Sequence, residues 1–269
     1  MYNYYSGPIT GVTLGSDPEV FVVDERGQVS SAIGTIGGSK DSPRPCRLGF
    51  LQEDNVLAEF NTRPAHTEYE WLESLSSVMM DLDEALELHK LKALVITSHT
   101  FSMSSLQSFG DKAMEFGCGA EWDAYTGKVK PRPDGASSGL RTAGGHIHIG
   151  YDDPFEEGNV SIAMMMDFAL GLPSLLLDSD SLRRGLYGAA GSIRHKPYGV
   201  EYRTLSNFWL SSQELQSWVY QRTMWATQNL HLLEDFKSQV SEKKLQKIIN
   251  SSDVASARDL CNMLELEVA

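Results

Sequence analysis

Apolar and polar positions alternate in four short runs of this chain, 14–23, 56–61, 145–149 and 200–205, each about as long as one strand. Period two sends successive side chains to opposite faces, so each run predicts a strand with one apolar and one polar face. The first run ends at the turn-like Asp24-Glu25-Arg26-Gly27 and predicts a hairpin into a second strand near 28–33. The period then changes. Thr67-Glu68-Tyr69-Glu70 reads as a capping box, and Trp71, Leu72, Leu75, Val78, Met79, Leu82 and Leu86 follow at helical spacing. Residues 94–97 read as a strand, 159–177 as a buried helix interrupted near Gly171-Leu172-Pro173, 214–236 as a long amphipathic helix and 243–249 as a shorter one. The Gly, Ser and Pro content of 36–45 marks a loop. The stretch 98–139 is long enough to be a functional segment or a lid. Strands and helices mix without regular alternation, and no repeat or linker is visible. The fold class is therefore α+β, with 1–269 read as a single domain whose C-terminal helices begin at about 212.

Composition narrows the classes of partner. The 269 residues carry a formal net charge of −13, which argues against a general nucleic-acid binder or a binder of anionic membranes. A local basic pocket is still available in 182–197, which holds Arg183, Arg184, Arg194, His195 and Lys196. Cys46, Cys118 and Cys261 are widely spaced with no C-x-x-C, so neither a disulfide framework nor a zinc knuckle is indicated. The N-terminus lacks a charged and apolar leader, and no run reaches the roughly 18 apolar residues of a membrane span. A cytoplasmic protein is expected, acting where it is made.

Candidate chemistry lies on the strands. His146 and His148 leave one face of 144–150 while Ile147 and Ile149 face the core, and the flanking glycines admit close approach to the backbone. Asp17 and Glu19 flank Pro18 at i and i+2, so both are expected on one face. Glu59 and Glu201 sit among strand residues, where a buried carboxylate must be paired or metal-bound. Such oxygen-rich groups suit Mg2+ or Mn2+. Arg203 shares a face with Glu201, and its guanidinium can grip phosphate oxygens in a bidentate way. Each residue alone also has a bland reading, as a structural histidine or a solvated acid. A zinc hydrolase built on His146 and His148 is the competing chemistry, although His66, His89, His99, His195 and His231 show no second ligand spacing. No Walker sequence occurs, and the glycines at 34–38 and 188–191 read as simple turns. Cys118 in Phe116-Gly117-Cys118 reads as an unreactive buried thiol, and Trp122 and Tyr125 as lid or surface-packing residues.

Together these residues carry a resemblance. Leu14-Gly15-Ser16-Asp17-Pro18-Glu19-Val20-Phe21 resembles the first metal-binding strand of glutamine synthetases, and Gly145-His146-Ile147-His148 their His-x-His strand. Gly191-Ser192-Ile193-Arg194 and Val200-Glu201-Tyr202-Arg203 resemble their paired arginine and Glu-x-Arg elements, in the same order. The likeness is closest to compact phage-type carboxylate-amine ligases (COOH.NH2 ligase type 2), relatives of gamma-glutamylcysteine synthetase. There Glu59-Phe60-Asn61-Thr62-Arg63-Pro64 and Phe116-Gly117-Cys118 have counterparts, and the likeness covers roughly 14–210.

The resemblance implies a curved antiparallel sheet lining an active-site funnel, with helices packed on its outer face. It implies ATP and Mg2+ (or Mn2+) as cofactors, and a small-molecule or peptide carboxylate and an amine as substrates, with a homo-oligomer compatible. Glu19 and Glu59 would hold one metal, and Asp17, His146 and Glu201 a second. His148 would lie nearer the nucleotide, and Arg194 and Arg203, with Arg184 as a weaker candidate, would neutralise phosphate charge. Asp17 stands where Glu is more usual, which implies a shorter or water-mediated contact. The expected function is ATP-dependent amide formation through an acyl phosphate. Glu201→Ala is expected to abolish turnover and leave the fold intact. A non-catalytic nucleotide-binding descendant is the remaining alternative.

Overall fold

Pro18 has no amide hydrogen to donate, and the chain changes sheets there. The computed structural model, which describes residues 4–115, 121–130 and 138–269, divides the first predicted strand into β1 (Thr13–Ser16) and β2 (Glu19–Asp24). The expected turn follows. The Asp24 carboxylate accepts the amides of Arg26 and Gln28, and β3 (Val29–Ser30) returns along β2. β4 (Arg44–Cys46), β5 (Gly49–Asp54), β6 (Leu57–Thr62) and β7 (Leu91–Leu94) complete a six-stranded sheet of order β3-β2-β6-β5-β4, with β7 also pairing β2.

Of the strand expected at 94–97 only Leu94 is in a strand, at the end of β7; residues 95–97 bend into β8 (Ser98–Thr100), and the Ile96 amide donates back to Leu94. β9 (Glu121–Asp123) and β10 (Lys128–Lys130) form a hairpin, and β11 (Leu140–Thr142) pairs β8 in a separate ribbon. β12 (Ile147–Gly150), β13 (Ser192–Lys196) and β14 (Gly199–Tyr202) join β1 and the hairpin in a second six-stranded sheet, of order β1-β12-β14-β13-β9-β10. Every described ladder is antiparallel. Mixed helices and antiparallel sheet place the fold in the α+β class.

Helices cover the outer faces. In α1 (Glu68–Glu87) both capping-box bonds form: the Thr67 hydroxyl accepts the Glu70 amide, and the Glu70 carboxylate accepts the Thr67 amide. Its apolar stripe of Trp71, Leu75, Val78, Leu82 and Leu86 packs on β5, β6 and β7. Short helices α2 (Met103–Ser108) and α3 (Asp111–Met114) occupy part of the stretch read as irregular. α4 (Glu156–Met166) runs into a π-helical turn, Asp167–Gly171, and a 3-10 turn, Pro173–Leu176, so the interruption expected near Pro173 is present. By length and composition Glu156–Leu176 is apolar enough to cross a membrane, which the sequence reading missed; here it is almost wholly buried, with α4 packed on β13, β14 and α5 (Gln213–Gln228).

The single helix expected over 214–236 is divided. Asn229 leaves helical geometry, its side-chain amide donating to the Trp225 carbonyl, and a 3-10 turn, Leu230–Leu232, leads into α6 (Leu233–Gln239). α7 (Glu242–Asn250) matches the second expected helix, and α8 (Val254–Met263) was not anticipated. One apolar cluster runs from Leu14 to Leu266 through both sheets and the C-terminal helices.

Candidate active site

Register decides which side chains meet. His148, Glu201 and Arg194 are cross-strand partners on β12, β14 and β13, while Ile147, Tyr202 and Ile193 pair one residue along and are fully buried on the opposite face. In the other sheet Glu19 pairs Glu59, which pairs Gln52, and Asp54 lies two residues further along β5. Both faces line a cavity of about 510 Å3 between the sheets. A smaller cavity of about 70 Å3 shares Glu19, Asp54, His146 and Arg203 with it.

The donors fall into two groups, Asp17 with His146 and Glu201, and Glu19 with Asp54 and Glu59; within each, one ligand atom per residue lies within 4.8 Å of the others. Asp17 and Glu19 were expected on one face of one strand. The sheet change at Pro18 assigns them to different groups. Asp54 was missed. The available signal was a hairpin turn after it, where Asp54 pairs Leu57 and Asn55 adopts φ 57°.

In the second group burial, then the neighbouring Asp54, pushes the Glu19 pKa up to about 8 despite a 2.7 Å hydrogen bond from the Gly144 amide. Burial, then Asp17, Asp54 and Glu19, raises Glu59 well above the usual carboxylate range. Asp54 is raised mainly by burial, with Lys40 opposing. Three carboxylates this close, one buried and two half-buried, cannot all ionise unless a cation joins them.

The first group is balanced differently. Burial favours protonation of Asp17, but His148 and His146 outweigh it and hold the pKa well below the ordinary value. For Glu201, burial and Asp17 push upward, while Arg203 and the two histidines bring it below the usual range. This wholly buried carboxylate receives Lys196 Nζ at 2.8 Å, Arg194 Nη1 at 3.2 Å and Arg203 Nη1. Burial, then Arg203, lowers the His146 pKa to about 4, so its imidazole is neutral at pH 7 and has a lone pair to offer. His146 Nδ1 stands 3.2 Å from Asp17 Oδ1. His148 Nε2 stands 3.1 Å from the same oxygen, and both atoms are buried without a satisfactory hydrogen bond. Orphaned donor atoms converging on one point fit a cation better than a self-contained polar network.

The glycines before His146 have the expected use. A Cβ on Gly145 would lie 2.3 Å from the Ser206 carbonyl oxygen and 2.4 Å from Trp209 Nε1. The basic residues divide. Arg194 and Arg203 line the larger cavity, as does Lys196, which the sequence reading did not single out for the site. Arg184 does not reach it: its Nη2 donates to Ser174 Oγ at 3.1 Å, and Arg183 lines the smaller cavity instead. The two lie on a 3-10 turn, where successive side chains diverge by about 120°. Glu121, also missed, accepts from Arg203 Nε at 3.3 Å. Tyr125 is not a surface lid, because its hydroxyl donates to the buried Asp167 at 2.8 Å; Trp122 is exposed and meets His195 edge-on. Phe116-Gly117-Cys118 lies outside the described residues.

Acid groups, a neutral histidine and convergent arginines thus meet between antiparallel sheets. Residues 136–266, just under half of the chain, match the family described as Phage phiEco32-like COOH.NH2 ligase-type 2. The matched stretch carries His146, His148, Arg194, Glu201 and Arg203; the acids from β1 to β6 lie outside it. No curated protein matches the sequence.

Proposed function

We propose that the protein is an ATP-dependent ligase that activates a carboxylate as an acyl phosphate and joins it to an amine. A carboxylate resists an amine because it is anionic and its leaving group is poor. Transfer of the γ-phosphoryl group to a carboxylate oxygen converts that oxygen into part of a good leaving group. The amine then forms the C–N bond as phosphate departs. Such a reaction asks for positioning and charge stabilisation more than for a covalent nucleophile, which accounts for a site of acids and arginines.

The observation that carries this reading is the pair of donor groups in one cleft, with Arg203 lining both cavities. Glu19, Asp54 and Glu59 would hold one Mg2+ or Mn2+, and Asp17, His146 and Glu201 a second. Five carboxylates against one imidazole favour such hard cations over zinc. Bound there, the ions would neutralise the triphosphate and orient it. Arg194 and Lys196 would bind phosphate oxygens, His148 would border the nucleotide, and Arg203 would stabilise the charge on the transferring group. We read the facing sheets as the walls of a glutamine synthetase-like funnel, in which nucleotide and carboxylate approach the same acids from the two cavities.

The test is to incubate the purified protein with ATP, Mg2+ and panels of carboxylates and amines, measuring ADP and trapping acyl phosphate with hydroxylamine. ADP release that needs Mg2+ and a carboxylate is expected. Stoichiometric zinc in a protein that releases no ADP would sink the ligase reading in favour of a hydrolase, and ATP binding without turnover would favour a non-catalytic descendant.

A further inference from the structure

Between Glu157 and Asp178 the chain carries one charged residue, Asp167, and it is wholly buried. A carboxylate in so apolar a run must be held by donors, and here two phenols from distant parts of the chain hold it. The Tyr202 hydroxyl donates to Asp167 Oδ1 at 2.6 Å, and the Tyr125 hydroxyl donates to Oδ2 at 2.8 Å. Burial pushes the Asp167 pKa up to about 6 while both hydrogen bonds pull it back, so at pH 7 the group is ionised and accepts from both. The backbone is shaped for this contact. Asp167 opens the π-helical turn, and its carbonyl accepts the Leu172 amide at 2.7 Å. A Cβ on Gly171, at the end of that turn, would lie 2.6 Å from the Tyr202 hydroxyl, so the contact needs the glycine.

Each phenol belongs to a segment that also delivers a site residue. Tyr202 stands between Glu201 and Arg203, and alternation along the strand turns its ring to the outer face while its neighbours turn to the cleft. Tyr125 follows β9, which joins the sheet through two register pairs, Ser192 with Asp123 and Ile193 with Trp122. The first residue of β9, Glu121, accepts from Arg203 Nε at 3.3 Å. We propose that Asp167 is a positioning residue that, through Tyr125 and Tyr202, ties the β9–β10 hairpin to β14 from behind the sheet and so holds Glu121 against Arg203. Asp167 lines neither cavity. The inference rests on the ligase reading above and adds a group outside the cleft that sets the direction of the Arg203 fork.

Tyr125→Phe tests it, since that change removes one hydroxyl and nothing from the cleft. The full chain carrying it is compared with Glu121→Ala and with the double variant by amide hydrogen exchange, by calorimetry with ATP and Mg2+, and by hydroxylamine-trapped acyl phosphate across the carboxylate panel. Tyr125→Phe should speed exchange across residues 121–130 by about tenfold, as expected when a local tie is released. Trapping at saturating ATP should fall about tenfold, the scale of a small misplacement, with ATP affinity unchanged, which also shows that the variant is folded. Glu121→Ala should lower trapping at least as far, and adding Tyr125→Phe to it should cost nothing more, because both changes act on one contact. An unchanged trapping rate in Tyr125→Phe, or losses that multiply in the double variant, would reduce Asp167 to a structural residue and overturn the positioning role. Unchanged exchange in the hairpin would overturn the tie itself, whatever the activity. An unmodified protein that yields no acyl phosphate would overturn the ligase reading and the catalytic side of this inference with it.

Discussion

Glu201 shows how one side chain can be read correctly by position and incorrectly by environment. As one acid among several, its removal was expected to relieve repulsion and leave the fold intact. It is instead the wholly buried counter-charge of Arg194, Lys196 and Arg203. Deleting it strands cations in a low-dielectric site, so Glu201→Ala should lose roughly 3–5 kcal/mol of stability, read as a lower urea midpoint at unchanged slope. An unchanged midpoint would mean that solvent already screens the cluster. Arg203 is the complementary case, for its fork bonds both Glu201 and Glu121. Arg203→Lys keeps the charge and loses the planar geometry. Nucleotide and metal affinity by calorimetry should stay close to those of the unmodified protein while hydroxylamine-trapped acyl phosphate falls about a hundredfold, the scale of one lost preorganised donor. Equal trapping rates would show that the guanidinium adds nothing special at the phosphoryl group.

Among the elements, α1 was the most legible, because its cap and stripe are local: Thr67 and Glu70 are three residues apart, and the buried positions follow one helical period. Thr67→Ala removes the hydroxyl that caps the Glu70 amide and should lower stability by about 1 kcal/mol in chemical denaturation, with metal and nucleotide binding untouched because the cap lies on the outer layer. Strands were harder. Period two found 14–23 but could not show that Pro18 splits it between two sheets, since the partner edges come from β6 and β12, far away in sequence. The break at Asn229 was likewise invisible in a run whose apolar spacing continues on both sides. The short β9–β10 hairpin, which delivers Glu121, lay hidden in a stretch whose composition reads only as loop.

The molecule as a whole holds unlike charges around one cleft, and its stability should report on them. The folded pKa of Glu19, about 8, and the raised values of Glu59 and Asp54 mean that the folded chain binds more protons than the unfolded one. Their contribution is complete below the unfolded carboxylate values and is lost as pH rises through the folded ones. His148, also raised, acts in the same sense; His146, lowered to about 4, acts oppositely, but only below the ordinary histidine pKa of about 6.5. Metal-free protein should therefore melt progressively lower from about pH 7 to about pH 9, and the gain in melting temperature on adding Mg2+ should grow over the same range as the ion takes the place of protons. A gain independent of pH would place the ion elsewhere. The amino-acid sequence by itself determined what depends on a few neighbouring residues: the α+β pattern, the capped helix, the His-x-His strand, and which acids and arginines the strands carry. Only the tertiary structure decided that Asp17 and Glu19 part company, that Asp54 and Glu121 join them, that Arg183 faces the cleft in place of Arg184, and that Glu201 is held by three cations. Backbone periodicity is a local property, whereas shared burial and charge balance arise from register between strands that the chain brings together from distant positions.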